Sequence, residues 1–315
     1  MTQSLRTIAL GVTLLAVLAN AASGQQKRTS ARKSAPAKAS EPADWTPVER
    51  AMGRRGASQP DEVMRFSFPR NDLSPMLQGV QLRPALALGS WIAFSRPEKN
   101  RSMAMGEIVL SEDEVNPVID LLRKGGIDPV GVHDHLLMET PRVKYVHIHA
   151  AGDPASIARA VRNALEVTRT PLDTTGSNAA VGLIDLDTAV IGRTIGVRGK
   201  SSGGVYQIGI PRSQDVKEGK TVIPPALGIA TMLNFQPTGA GRSAATGDFA
   251  LTADEVEPVM GALRRAGIDV TALHSHMLRE EPRLFFMHFW VHDDTDKVAR
   301  GLRAALDAMR KSSSR

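Results

Sequence analysis

Gly126-Ile127-Asp128, His133-Asp134-His135, Pro141-Arg142 and His147 recur 141 positions later as Gly267-Ile268-Asp269, His274-Ser275-His276, Pro282-Arg283 and His288. Six of the chain's eight histidines thus occupy equivalent places in two copies of one unit. Outward from these stretches, residues 84–165 align on 225–306 without a gap, with 32 identities in 82 positions. The match continues upstream with one single-residue offset, laying Val63-Met64-Arg65-Phe66-Ser67-Phe68-Pro69-Arg70 on Val205-Tyr206-Gln207-Ile208-Gly209-Ile210-Pro211-Arg212. The chain is an internal duplication. Its first unit spans residues 45–168 and its second 187–309, joined by a linker over 169–186 that carries the turn-forming Pro171, Gly176 and Asn178.

Inside a unit the hydrophobic period changes along the chain. Phe66/Phe68, Ala85 to Phe94 and Met103 to Leu110 read as strands, being short apolar or alternating runs separated by Pro, Gly and Asn. A helix follows from the capping boxes Ser111-Glu112-Asp113-Glu114 and Thr252-Ala253-Asp254-Glu255. Its apolar face is Val115, Val118, Ile119 and Leu122, or Val256, Val259 and Leu263, and Gly126 or Gly267 ends it. Pro117 and Pro258 stand inside this helix, where the missing amide and the ring either kink it or shift its start. A hairpin over 129–138 and 143–150 then turns at Glu139-Thr140-Pro141-Arg142. Asp153-Pro154 opens a second helix, whose Ile157, Val161 and Leu165 correspond to Val298, Leu302 and Leu306. The order β-β-β-α-β-β-α defines an α+β unit of ferredoxin-like character, with helices layered on an antiparallel sheet. Two units in tandem predict a pseudo-twofold molecule whose sheets touch or join.

Residues 1–24 read as a cleaved signal peptide: Arg6, an apolar run from Ile8 to Leu18, then small residues from Ala19 to Gly24. Export to the periplasm or beyond follows, with no membrane-spanning segment expected in the mature chain. The chain has no cysteine, which excludes disulfides, thiol chemistry, zinc–cysteine sites and a lipid-attachment residue. Its formal charge of +6 resides in the ends: residues 1–44 carry +4 and Arg310, Lys311 and Arg315 add +3, leaving −1 for residues 45–309. Residues 25–44 read as a disordered basic spacer and 310–315 as a basic tail, while the near-neutral body gives no nucleic-acid footprint.

Comparing the copies sorts the candidate chemistry. His133/His274, His135/His276 and His147/His288 are kept in both, whereas His149 faces Trp290 and His292 faces Ala151 in the alignment. An acid is also kept, as Glu107 and Asp248. Strand alternation puts His133 and His135 about 7 Å apart on one face. His147 joins them if it pairs with His133, and a one-residue slip in register removes it. Three imidazoles and a carboxylate suit zinc or another divalent ion with one position open for water. The two ligand sets are His133, His135, His147 and Glu107, and His274, His276, His288 and Asp248. Hydrogen-bonded histidines of a half-buried hairpin are the plainer reading of the same spacing.

Arginine also recurs, at Arg70/Arg212, Arg101/Arg242, Arg123/Arg264 and Arg142/Arg283. Arg70, Arg142, Arg212 and Arg283, each following a proline, are the candidates for an anionic ligand. Asp128/Asp269 is a candidate base near the histidines, though shaping the Gly-Ile-Asp turn through its own backbone is the plainer reading. No nucleotide cofactor is expected: Gly199-Lys200-Ser201 has Thr194 where a phosphate-binding loop needs glycine.

Pro69-Arg70-Asn71-Asp72, Ala85-Leu86-Ala87-Leu88-Gly89-Ser90-Trp91, Met105-Gly106-Glu107, Glu114-Val115-Asn116-Pro117-Val118, and His133-x-His135-Leu136 with Tyr145-Val146-His147 resemble the LppY/LpqO family of bacterial envelope proteins over about residues 45–310. The resemblance implies the duplicated unit and export but no activity, since the family's function is unknown. Lipid anchoring, as in its mycobacterial members, does not carry over to a chain without cysteine. Two functions remain open: an exported metal-dependent hydrolase, and a non-catalytic periplasmic protein that binds a small molecule or an anionic envelope component.

Overall fold

The computed structural model describes residues 43–98, 101–172 and 184–313, with the side chains of Glu98, Arg101 and Ser313 excepted. The expected leader over 1–24, nearly all of the 25–44 spacer, most of the 169–186 linker and the end of the basic tail lie outside the described residues.

The first unit comprises α1 (Thr46–Met52), β1 (Ala57–Ser58), β2 (Met64–Pro69), β3 (Gly89–Glu98), β4 (Arg101–Leu110), α2 (Val115–Lys124), β5 (Asp128–His133), β6 (Lys144–Gly152) and α3 (Pro154–Leu165). The second repeats it as α4 (Thr188–Ile195), β7 (Lys200–Ser202), β8 (Val205–Ile210), β9 (Thr231–Gly239), β10 (Arg242–Leu251), α5 (Ala253–Arg265), β11 (Asp269–His274), β12 (Phe285–Asp294) and α6 (Thr295–Ser313). Each unit builds one antiparallel six-stranded sheet, in the orders β1-β2-β3-β4-β6-β5 and β7-β8-β9-β10-β12-β11. Helix α2 carries the chain over β6 from β4 to β5, which gives the sheet its ferredoxin-like order. No helix among the described residues is long and apolar enough to cross a membrane.

Three local expectations are corrected. Ala85 to Leu88 is not strand: Pro84 fixes φ at the first position of a short helix, Pro84–Ala87, and the strand starts at Gly89. The first hairpin strand ends at His133, so residues 134–138 are loop. Each unit also opens with a helix, α1 or α4, ahead of its strands. Around Pro117 the first turn tightens into 3₁₀ geometry over Glu112–Glu114, so the α-helix starts late, whereas Pro258 sits inside a continuous α5.

Strand alternation gives every sheet two buried faces. Outer residues such as Ile108, Val146 and Ile148 pack under α2 and α3, and Phe249, Met287 and Phe289 under α5 and α6. Inner residues are covered by the other unit, not by α2, α3, α5 or α6. Ala93, Met103 and Met105 meet Leu227, Ile229 and Phe286 of the other unit, while Val109 and Tyr145 share a cluster with Ala244 and Trp290. The two sheets are therefore in contact through their inner faces, as the pseudo-twofold reading requires, and helices cover the outside.

Reciprocal arms seal the interface. From the first unit, the carbonyls of Ala85 (2.8 Å) and Leu86 (3.2 Å) accept from Gln207 Nε2 and Asn234 Nδ2, while Gln236 accepts from Arg83 N and donates to the Gln81 carbonyl. From the second, Glu218 Oε2 reaches His149 Nε2 at 2.9 Å, and Leu227 and Ile229 join the apolar cluster.

Arg70 and Arg212, two of the ligand candidates, tie β2 and β8 to the helix starts. Arg70 is fully buried and grips Glu114 with Nη1 at 2.7 Å and Nη2 at 3.3 Å, while Nη1 also reaches the Val109 carbonyl. Arg212 repeats this on Glu255 and Ala250 O. The same glutamates accept the Ser111 and Thr252 amides of the capping boxes. Removing one partner of a buried, bidentate pair leaves a charge without compensation. Arg70→Ala is expected to lower the urea-unfolding free energy by ~3–5 kcal/mol. Arg264→Ala, which breaks the exposed pair with Asp269, is expected to cost less than ~1 kcal/mol in the same measurement.

Candidate functional site: a histidine cluster between the two units

Register decides which side chains meet. Glu107 on β4 lies across from His147 on β6, which lies across from Gly131 on β5, and Tyr145 lies across from His133. His133 and His147 are therefore offset by two residues from the direct pairing considered from sequence. An even offset keeps both on the inner face. The second unit matches: Asp248 faces His288, His288 faces Ala272, and Phe286 faces His274. Both edge strands carry a register irregularity just before these pairs, between Pro129 and Gly131 and between Val270 and Ala272.

His135 and His276 arrive from the loops beyond β5 and β11, not from the strands. Each ring lies flat on an aromatic two residues before the third histidine: His135 on Tyr145 (centroids 3.4 Å, 8° between planes) and His276 on Phe286 (3.3 Å, 5°). Glu139 and Glu280, identical in the two copies, brace these loops by accepting the amides of Val143 (3.2 Å) and Leu284 (3.0 Å). Gly106 precedes Glu107 because a Cβ there would lie 2.5 Å from the Trp91 carbonyl.

The inner faces bring all six histidines into one cluster. Ring centroids across the pseudo-twofold are 3.6 Å apart for His133 and His274, 3.8 Å for His135 and His288, and 3.8 Å for His147 and His276. Within a unit, His133 stacks on His147 at 4.8 Å and His274 on His288 at 5.0 Å. Thr271 Oγ1 donates to the His135 carbonyl at 2.5 Å, which ties the first loop to the opposite edge strand. The ligand sets expected copy by copy are thus regrouped. Donor atoms lie within 4.8 Å of one another in three overlapping sets: His133, His135, His147 and His274; His274, His276 and His288; and Glu107, His147 and His276.

Glu107 Oε2 stands 3.1 Å from His135 Nε2 and 3.2 Å from His147 Nε2, but neither approach is aligned as a hydrogen bond. His133 Nδ1 and Nε2, His135 Nε2, His147 Nε2 and His276 Nε2 are buried nitrogens without a hydrogen-bond partner. His276 Nδ1 donates to the Gly228 carbonyl at 3.1 Å, which leaves Nε2 as a free lone pair. His288 Nε2 and His274 Nε2 are 2.9 Å apart, so one donates to the other. His133 and His274 are half-buried and the other four are buried, so solvent reaches the cluster past these two rings.

Burial, with the charges of neighbouring imidazoles, pushes His133, His147, His276 and His288 well below the ordinary histidine range, and His274 down to about 4. Burial would raise the Glu107 carboxyl, but His135 and the other imidazoles hold it below the usual carboxylate range. Asp248 goes the other way, raised well above that range by burial and then by Glu107. Five of the six imidazoles are thus held neutral beside one ionised carboxylate, a donor set for a cation.

The four arginine candidates have other partners. Arg70 and Arg212 hold glutamates, Arg142 is exposed 3.8 Å from Asp134, and Arg283 donates to the carbonyls of Met277 and Leu278. Asp269 pairs with Arg264. A cavity of about 490 Å³ lined by Asn71, Leu73, Arg83 and Gln236 shares no residue with the histidine cluster. Sequence reading missed Tyr145/Phe286 and Glu139/Glu280, although an aromatic or a glutamate in both copies was a visible signal. It also missed Arg65, whose guanidinium lies 4.0 Å from the Trp91 ring centre.

Fold and site define a class: a tandem α+β protein that assembles one imidazole cluster between its two copies. The chain belongs to the family described as Domain of Unknown Function (DUF1259), whose model matches residues 46–167 and again 189–308. No curated protein matches it. Among solved structures it is similar to the trimeric bacterial microcompartment shell protein PduB, at 13% identity over 82% of this chain and 92% of that one, with a TM-score of 0.22. EtuB from Clostridium kluyveri follows at 10% identity, 81% and 90% coverage and a TM-score of 0.22. An unknown protein from Galdieria sulphuraria matches at 13% identity, 69% and 95% coverage and a TM-score of 0.20.

The electrostatics set a pH response. Histidines with folded values below ~6.5 bind fewer protons folded than unfolded, so stability rises with pH up to about 6.5 and is lost as pH falls below it. In chelator-treated protein, the melting temperature is expected to fall steadily from pH 7 to pH 5. A flat profile over that range would show that the rings are not buried neutral.

Proposed function

We propose that this protein is an exported metal-dependent hydrolase that holds its divalent ion, zinc being the best fit, in the histidine cluster. The observation that carries the reading is the convergence of five partnerless imidazole nitrogens, on four rings, in one buried site. Buried polar groups ordinarily find partners, and a cation supplies one to several lone pairs at once. Three imidazoles would hold a four-coordinate ion with one position left for water, and such an ion would supply a water that ionises near neutral pH. Glu107, ionised beside the rings, would join His147 and His276 as a ligand. Substrate reaches the site past His133 and His274.

Export rests on the first 24 residues and on the resemblance to the LppY/LpqO envelope family. The alternative, a periplasmic protein binding an anionic envelope component, has less support because Arg70 and Arg212 already hold glutamates.

Elemental analysis of the purified protein tests the reading directly. Stoichiometric zinc or another divalent ion is expected in the wild type, with loss of at least half in His133→Ala/His135→Ala of unchanged circular dichroism. Hydrolysis of a panel of chromogenic esters is expected to disappear with chelator and return with the ion. Wild-type protein that carries no metal and takes none up would refute the proposal.

A further inference from the structure

Resting on the metal reading above, the cluster carries more donors than one ion uses. A zinc-type ion takes four ligands, whereas six imidazoles and Glu107 converge here. One four-coordinate ion would leave three of these seven groups outside its ligand set. The donor sets are also not separate. His274 belongs to the set built on His133, His135 and His147 and equally to the set with His276 and His288, while Glu107 joins His147 of one copy to His276 of the other. The rings meet across the pseudo-twofold at 3.6 to 3.8 Å. Two independent sites, one in each copy, do not fit rings in contact and a carboxylate that reaches both sides.

We infer that the cluster is a single composite centre for a pair of divalent ions, one on each histidine triad, with His274 and Glu107 shared between the two positions. Each copy supplies half of the centre, so the ions also cross-link the two sheets through the edge strands β5 and β11 and the loops that follow them. Paired divalent ions suit an ester or anhydride substrate, because one ion can hold the attacking water and the other the oxygen that accumulates charge.

The full-length chain, stripped with chelator, is titrated with Zn²⁺ in a calorimeter and its bound zinc counted. A second sample is loaded with Cu²⁺ for electron paramagnetic resonance. Two zinc ions per chain are expected, together with a half-field signal from magnetically coupled copper. His276→Ala, which removes a donor common to two of the sets, is expected to bind one ion and lose that signal. The wild-type measurements decide the matter even if the variant does not fold. One ion per chain, or two with no coupling signal, overturns the composite centre and leaves the metal reading standing. No bound ion overturns both.

Discussion

The cross-strand pairing of Glu107 with His147, matched by Asp248 with His288, is the constraint on which the rest of this molecule turns. Sheet geometry places an acid and an imidazole side by side on a face that cannot be left open, because the same face carries Ala93, Met105 and Val109. Covering it with a helix would bury polar groups against an apolar surface. Covering it with a second copy of the same sheet opposes polar patch to polar patch and apolar residues to apolar residues. The duplication thus solves a packing problem, and the histidine cluster lies where the solution is most polar.

The supporting structure follows from that meeting of faces. Arms over 76–88 and 217–229 fill the space beside the cluster; the first locks on through hydrogen bonds to Gln207, Asn234 and Gln236, and the second brings Glu218 to within 2.9 Å of His149. Gly228 illustrates how tight the fit is: its φ is +91°, a Cβ there would stand 2.4 Å from the Trp91 ring, and its carbonyl orients His276. Away from the site, the buried Arg70–Glu114 and Arg212–Glu255 pairs hold β2 and β8 to the helix starts, so the outer layers do not depend on the cluster for their position.

What could be read in the sequence was what repeats locally. The strand and helix periods, the capping boxes and the kept histidines all lie within short windows or recur at one fixed spacing, and the duplication made that spacing plain. The register of β5 on β6 was not readable, even to parity, because the loop over 134–143 and the irregularity at Pro129 set it by geometry that spacing does not encode. The contacts between copies were not legible. Nothing in the order of residues says that His133 touches His274, or that Arg70 closes on Glu114 44 positions away. Proline misled at Pro84, where a strand reading gave way to a helical turn.

The two halves are not chemically equal, and the inequality has a direction. Glu107 is one methylene longer than Asp248, and its oxygen reaches two imidazoles, while burial and then the Glu107 charge push the shorter acid well above the usual carboxylate range. Trp91 and the Arg65 guanidinium above it stand on the Glu107 side, where the second copy has Met232 and Gln207. His149 on that side meets Glu218, whereas its counterpart Trp290 donates to Gln78. All six imidazoles are nonetheless retained. Loss of symmetry in the surroundings with retention of every ring fits six imidazoles packed into one cluster, because each ring lies against a ring of the other copy and its removal would leave that partner without its contact.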